Sequence, residues 1–419
     1  MSAMEAIPAA VLLPASATPT EPVSRRWVSR FALIWFGYWM ASLVPVNLLL
    51  PNQLAVIDPV HKVRDLGYVN GLAGVAALVA LPLCGALCDR SRSSFGRRRV
   101  WMVGGTAFYA ASLVGTGLVH SWTGVAVLWS LAMAGLSAAT AGLTAAMADT
   151  VPDEQRGIVS GALYGPQALG VVVGIGVINA AALSFSLSYV LLAVVLVLSS
   201  YSFIRSYQER APAAADPLSL RAIAGSLWVS PRANPDFAWA FGGRLLVNLG
   251  NSLGTAYLLY FLTDDLKVGN PDGWLLVLTV VYLMFTLAST VSCGVLSDRL
   301  RRRRVFVFGS ATAQALGGLG LALFPSLTFA VIGAALLGAG YGAYMAVDQA
   351  LITEVLPDAE SRAKDLGIMN IGSVVPQAAG PLGASLIISS LGGYSTLFGT
   401  AAATGMVGAV MVYRVRTVR

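Results

Sequence analysis

At 419 residues, 56% hydrophobic and 11% charged, with a mean hydropathy of +0.73, the chain excludes a water-soluble domain and reads as an integral membrane protein. The net charge of +7 and pI of 9.4 do not mark a nucleic-acid binder, because the basic residues are spread over several loops and form no single patch. Apolar runs recur about every 30 to 35 residues, each long enough to cross a hydrocarbon layer about 30 Å thick as a helix, whereas a barrel would show alternating segments of about ten.

In chain order, residues 1–28 hold Pro8, Pro14, Pro19 and Pro22 and no positive charge ahead of a weakly apolar stretch, so a disordered cytoplasmic tail is expected and a signal peptide is not. Twelve helical spans then begin near residues 29, 67, 100, 122, 158, 186, 237, 273, 305, 326, 366 and 394. They divide into a six-helix bundle over 29–205, a cytoplasmic connector over 206–236, a second six-helix bundle over 237–414 and a cytoplasmic tail over 415–419. Of the 27 Lys and Arg residues, all but Lys62, Arg64, Lys267 and Arg244 fall in or beside the segments on the side of the N-terminus. The positive-inside rule therefore places both termini in the cytoplasm. Cys84, Cys88 and Cys293 sit in or beside apolar runs without metal-ligand spacing and read as packing residues.

The chain contains itself twice. "GALCDRSRSSFGRRRV" at 85–100 returns as "GVLSDRLRRRRVFVFG" at 294–309, with Gly85, Leu87, Asp89 and Arg90 over Gly294, Leu296, Asp298 and Arg299. "MADTVPDEQRG" at 147–157 is echoed by "ITEVLPDAESR" at 352–362, and "GPQALG" at 165–170 by "VPQAAG" at 375–380. Duplicated six-span halves with a polar connector are the organisation of a secondary transporter whose solute site lies between the halves.

These stretches resemble the major facilitator superfamily, the 85–99 stretch being similar to its signature loop between spans 2 and 3, in the longer form of glycoside and sucrose symporters. The resemblance implies a two-bundle, twelve-helix fold with spans 1, 4, 7 and 10 lining a central cavity. It also implies a gating loop formed by Gly85, Asp89, Arg90, Gly96, Arg97 and Arg98, with Asp298 and Arg299 as the weaker copy. On that reading Asp89 faces the N-terminus of span 11 around Leu366 and Gly367, where the helix dipole favours an anion, and the arginines join a charge network between the halves. Span 5 carries Gly161, Gly165, Pro166 and Gly170, which resemble part of the antiporter motif of drug exporters; Leu169 and Pro152 depart from it, and small residues also serve close helix packing.

Two charges lie deep in spans: Arg244 in span 7 and Asp348 in span 10. An isolated intramembrane charge costs several kcal/mol, roughly, so each is expected to face a cavity or a partner, and their depths allow them to meet. Arg244, Asn248, Asn251 and Thr255 form one helical stripe; Tyr341, Tyr344 and Asp348 form another. Span 1 offers Trp35, Tyr38 and Ser42, while Gln167 and Gln377 add polarity. A cation beside a carboxylate favours its ionised form and burial the neutral one, so a moving Arg244 makes Asp348 a proton-coupling group; a permanent structural ion pair is the alternative.

No GxxxxGK[ST] loop is present, and His61 and His120 lie in predicted outer loops without metal spacing. With no paired nucleophile and base either, the expectation is a transporter and not an enzyme, with no cofactor and no metal. The expected partners are a small-molecule solute, a proton or other cation gradient and the lipid bilayer of a plasma or inner membrane, around a monomer. Aromatic walls with few amides suit export of an amphipathic organic compound. Proton-coupled uptake of a glycoside or other nutrient remains the alternative, and a solute sensor on the same fold a more distant one.

Overall fold

The computed structural model describes residues 21–93, 95–208, 234–300, 303–355 and 362–415. The proposed N-terminal tail up to residue 20, most of the connector and the last four residues lie outside them, as do the side chains of Asp298, Leu366 and Gly367.

Twelve long helices carry the described residues: α1 (Arg25–Ile57), α2 (Lys62–Arg90), α3 (Arg99–Leu118), α4 (Trp122–Thr150), α5 (Arg156–Ala181), α6 (Phe185–Ser206), α7 (Pro235–Asp265), α8 (Pro271–Leu300), α9 (Arg303–Leu323), α10 (Leu327–Val355), α11 (Arg362–Ser390) and α12 (Gly393–Tyr413). Each begins within about five residues of the position read from hydropathy, the margin expected of pattern reading. Helix starts follow local chemistry: Ser24, Ser121 and Ser184 accept hydrogen bonds from the backbone amides of Trp27, Gly124 and Leu187, satisfying donors that the first turn leaves open. The loop after α2 turns at Gly96, whose φ of 114° is unfavourable for any side-chain-bearing residue.

Eleven of the twelve are long and apolar enough to span a bilayer by length and composition, and α3, the exception, is still a 20-residue helix. Two helices are interrupted in matching places. α1 takes a π-helical turn over Pro45–Leu49, and α7, after a break at Tyr257, takes one over Phe261–Asp265. These wide turns sit in the first helix of each half and toward the same end, which fits a symmetric pair of bundles and marks positions where helices bend.

Among the described residues the two halves pack closely at one end. Let the near end be the one where α1 begins and α12 finishes. At the far end α2 and α11 touch closely: a Cβ on Gly67 would come within 2.5 Å of Ser385, one on Gly71 within 2.3 Å of Leu382, and one on Gly74 within 2.4 Å of Ala378. Gly85, some 16 Å further along α2 by helix rise, has nothing within 4 Å of such a Cβ, and the same holds for Gly161 and Gly165 on α5. One apolar core runs through the first bundle and across into the far-end parts of α7, α8 and α10. A separate core around Phe237, Tyr344, Met369 and Val412 serves the near end of the second bundle. Among the described residues the halves are thus closed at the far end and parted at the near end.

Candidate functional site

Arg244 and Asp348 meet. The Arg244 Nη1 donates to Asp348 Oδ2, Arg244 Nε donates to the Ser373 hydroxyl of α11 at 2.8 Å, and the Tyr344 hydroxyl donates to Asp348 Oδ1 at 2.7 Å. Both charged residues are about 95% buried, with exposures of 5% and 4%. Helix periodicity builds the arrangement: Tyr344 and Asp348 are one turn apart on α10, while Asn248 lies one turn above Arg244 and donates to its backbone carbonyl at 2.8 Å. A guanidinium with a hydroxyl and a carboxylate as acceptors leaves neither charge unpartnered in a low-dielectric interior.

Above this pair lies a cavity of about 190 Å³ between the halves, lined by residues of α1, α5, α7, α8, α9 and α10. Its polar groups are Asn47, Gln167, Asn251, Thr255, Thr279 and Tyr282, and the rest of its wall is aliphatic, including Leu43, Val171 and Leu278. Asn251 Nδ2 donates to the Tyr282 hydroxyl at 3.3 Å. Tyr282 stacks on Tyr341 with ring centroids 6.4 Å apart, and the Tyr344 ring lies tilted against Tyr341 at 6.5 Å. A row of three tyrosines therefore connects the cavity to Asp348.

The cavity takes only some of the residues expected to line it. Asn251 and Gln167 do, and Tyr341 and Tyr344 lead from it to the ion pair. Trp35 and Tyr38 do not: both are buried in the first bundle's core, where Tyr38 shares a hydrogen bond with Thr106 of α3 and Trp35 packs against Phe31 and Trp39. Gln377 is exposed on α11, outside the lining. On α4, Ser137, Thr140 and Thr144 each spend their hydroxyls on carbonyls of their own helix. Asn47, Thr279 and Tyr282 escaped the sequence reading. The i, i+3 spacing of Thr279 and Tyr282 within the otherwise apolar stretch 274–285 was the available signal.

Among the described residues the signature loop forms a network inside the first bundle. Arg98, 5% exposed, donates to Asp89 Oδ1 at 2.5 Å, to Asp149 Oδ2 at 2.9 Å and to Cys88 Sγ at 3.4 Å; Arg97 reaches the same Asp149 oxygen at 3.2 Å. Burial by itself would lower the Arg98 guanidinium's pKa, but the carboxylates of Asp149 and Asp89 outweigh it and hold it raised. Arg99 donates to the Tyr207 carbonyl and Arg90 to that of Ala86. Asp89 remains 62% exposed at its side chain, and Arg299 is exposed at the end of α8. In α5, Gly170 lets that helix approach α1, a Cβ there lying 3.1 Å from the backbone of Met40, whereas Gly161 and Gly165 face open space and Pro166 sits within the helix.

The far-end seal was not anticipated. Lys62 Nζ at the start of α2 contacts Asp264 Oδ1 of α7 at 2.5 Å and lies 4.8 Å from the Tyr260 ring centroid, and Asp264 Oδ2 accepts from Tyr394 at 2.8 Å. The Tyr260 hydroxyl donates to the Pro51 carbonyl at 2.8 Å, and that of Tyr257 lies 3.0 Å from the Val63 carbonyl. Asn52 and Asn179 donate to the Asp272 side chain and backbone at 2.9 and 3.0 Å. These hydrogen bonds join the two halves at this end. "YLLYFLTDDL" at 257–266 therefore continues α7 through its π turn and closes this end.

Paired six-helix bundles, parted at one end around an interfacial cavity, define a multi-pass membrane transporter of small solutes. A family model described as Major Facilitator Superfamily matches residues 31–276 and 240–419, and the chain belongs to that superfamily. Solved structures with the same fold include the nucleoside transporter NupG, with TM-score 0.74 and 12% identity over 93% of this chain and 98% of that one. The human organic anion transporter MFSD10 gives TM-score 0.64 and 18% identity over 94% and 100% of the two chains. The peptide transporter POT gives 0.70 and 12% over 93% of each. Identities this low show the fold alone. Among curated protein sequences none matches the chain significantly.

Proposed function

We propose that this is a proton-coupled secondary transporter that exports a small amphipathic organic compound, with the near end facing the cytoplasm, and that Asp348 carries the coupled proton. The observation that carries the reading is the buried Arg244–Asp348 pair joined by Tyr344 and Tyr341 to the interfacial cavity. Distribution of the basic residues supports the orientation, and the aliphatic wall with a few amides supports an amphipathic solute.

In the cycle so described, Asp348 is ionised while Arg244 and Tyr344 hold it. Reclosure of the near end and opening of the far end pull α7 against α10 and loosen the guanidinium. A carboxylate losing its cation in a buried site takes up a proton, here from the far side. Returning to the near-end-open state restores Arg244 and expels the proton to the cytoplasm. Solute binds while the near end is open and leaves when the far end opens, so that one proton enters as one solute exits. Each binding event biases the same two-state equilibrium.

Uptake by symport is the second reading, favoured by the three amides Asn47, Gln167 and Asn251, which suit directional bonds to a hydroxylated solute. Whole-cell accumulation of candidate solutes with and without a protonophore separates the two. Accumulation that rises on collapsing the gradient supports export, accumulation that falls supports uptake, and indifference to the gradient in cells expressing an active protein contradicts both.

A further inference from the structure

Outside the transport pathway, a groove of about 610 Å³ opens between α3 and α6 on the surface of the first bundle. Its two walls have matching sequences. Along α3, Arg99, Val103 and Ala107 follow i, i+4, i+8; along the antiparallel α6, Arg205, Tyr201 and Val197 follow i, i−4, i−8. Each wall starts with an arginine at the near end and becomes apolar over about 12 Å of helix toward the membrane centre. Val103, Val197 and Tyr201 are exposed in span positions, so hydrocarbon is their surrounding medium.

Two details decide what the groove accepts. The polar residues deeper in its lining are already used: Thr106 bonds Tyr38 and the Met102 carbonyl, and Ser200 bonds the Leu196 carbonyl. Nothing polar is left there for a solute. At its mouth Arg205 has no acidic partner among the described residues and donates to the Tyr201 hydroxyl at 3.5 Å. Phe95, 55% exposed, lies beneath Arg99 with its ring centroid 5.9 Å from the guanidinium carbon and adds an aromatic rim at interfacial depth.

We propose that this groove is a binding site for an anionic glycerophospholipid of the near-side leaflet, its phosphate between Arg205 and Arg99 and one acyl chain against Val103, Ala107 and Val197. The amphipathic profile of the groove matches that of a single lipid: a bidentate cationic mouth for phosphate, then an uninterrupted apolar floor. A soluble phosphate ester lacks the chain that fills the floor, and a zwitterionic lipid brings a cation to the arginines.

Native mass spectrometry of the full-length protein, released from detergent after exposure to phosphatidylglycerol or phosphatidylcholine of the same chain length, tests the site. Wild type retains phosphatidylglycerol in preference to phosphatidylcholine. Arg205→Ala, an exposed position that leaves folding intact, lowers phosphatidylglycerol retention about fivefold, the value of one interfacial cation. Arg205→Lys recovers most of it, and Val197→Trp, which fills the floor, lowers retention of both lipids. Glycerol phosphate in excess does not displace the lipid. Equal retention of the two lipids by wild type overturns the assignment. So does undiminished retention by Arg205→Ala, or displacement by glycerol phosphate.

Discussion

Removing Lys62 tests whether the far-end contacts act as a latch that holds the transporter open to the near side. Lys62–Asp264 is the one ion pair between the halves among the described residues, with side chains 19% and 31% exposed and 2.5 Å between Nζ and Oδ1. A pair at that exposure contributes about 1 kcal/mol, and the ammonium 4.8 Å from the Tyr260 ring adds about 0.5 to 1 kcal/mol. Both contacts disappear when the far end opens, so Lys62→Ala lowers the cost of opening by about 1.5 to 2 kcal/mol. The far-end-open population then rises roughly ten- to thirtyfold relative to the closed one. Asp264 retains its Tyr394 hydrogen bond, so the variant strands no buried charge. Distances between spin labels at Val60 and Lys267, placed as cysteines in a background with Cys84, Cys88 and Cys293 changed to Ala, report the two populations. The charge-swapped pair Lys62→Asp with Asp264→Lys restores the wild-type distribution. An unchanged distribution in Lys62→Ala, or no recovery in the swap, refutes the latch.

At the opposite end, Gly161→Leu meets open space in this state and leaves thermal stability unchanged, but it blocks closure of the near end and abolishes turnover; normal transport would contradict near-end closure at this position. Gly74→Val drives a side chain into Ala378, where a Cβ already lies 2.6 Å from backbone, and costs about 1 to 3 kcal/mol in a melting measurement; an unshifted melting point refutes the tight α2–α11 seam. Arg98→Ala removes the shared partner of Asp89 and Asp149 and lowers stability by about 2 kcal/mol, discounted for the exposure of Asp89, whereas Arg99→Ala leaves that triad intact. The backbone amide and then the ring of His61 hold the Asp58 carboxylate below its usual range. A depressed acid favours the folded loop above the unfolded value of about 4 and loses that contribution as pH falls. Hydrogen-exchange protection of residues 58–62 therefore drops below about pH 4, and constant protection across that range counts against the contact.

Span number, span positions and the meeting of Arg244 with Asp348 were legible in the sequence because the bilayer enforces them. A charge in an apolar span must find a partner, and only two were present at that depth. Which face of a helix looks at the cavity was not legible for α1. Trp35 and Tyr38 share a stripe with Phe31, and an aromatic stripe packs a bundle interior as readily as it lines a pathway. The signature loop was recognisable by its arginines, but a charge cluster does not state its partners; Arg98 found Asp149 on α4, within its own bundle. The far-end latch was hidden for a geometric reason. Lys62 stands in a segment that hydropathy assigns to a loop and Asp264 at the very end of span 7, and only the extra turn of α2 and the π turn of α7 place them in register.

Proton movement driven by solute tests the central claim most directly. In proteoliposomes holding a trapped pH dye, addition of a transported solute to wild type moves protons across the membrane in the direction opposite to the solute. Asp348→Asn keeps the Tyr344 contact but carries no titratable group, so solute exchange continues at equal concentrations while the proton signal and uphill transport vanish. Solute-driven proton movement that survives in Asp348→Asn contradicts the account.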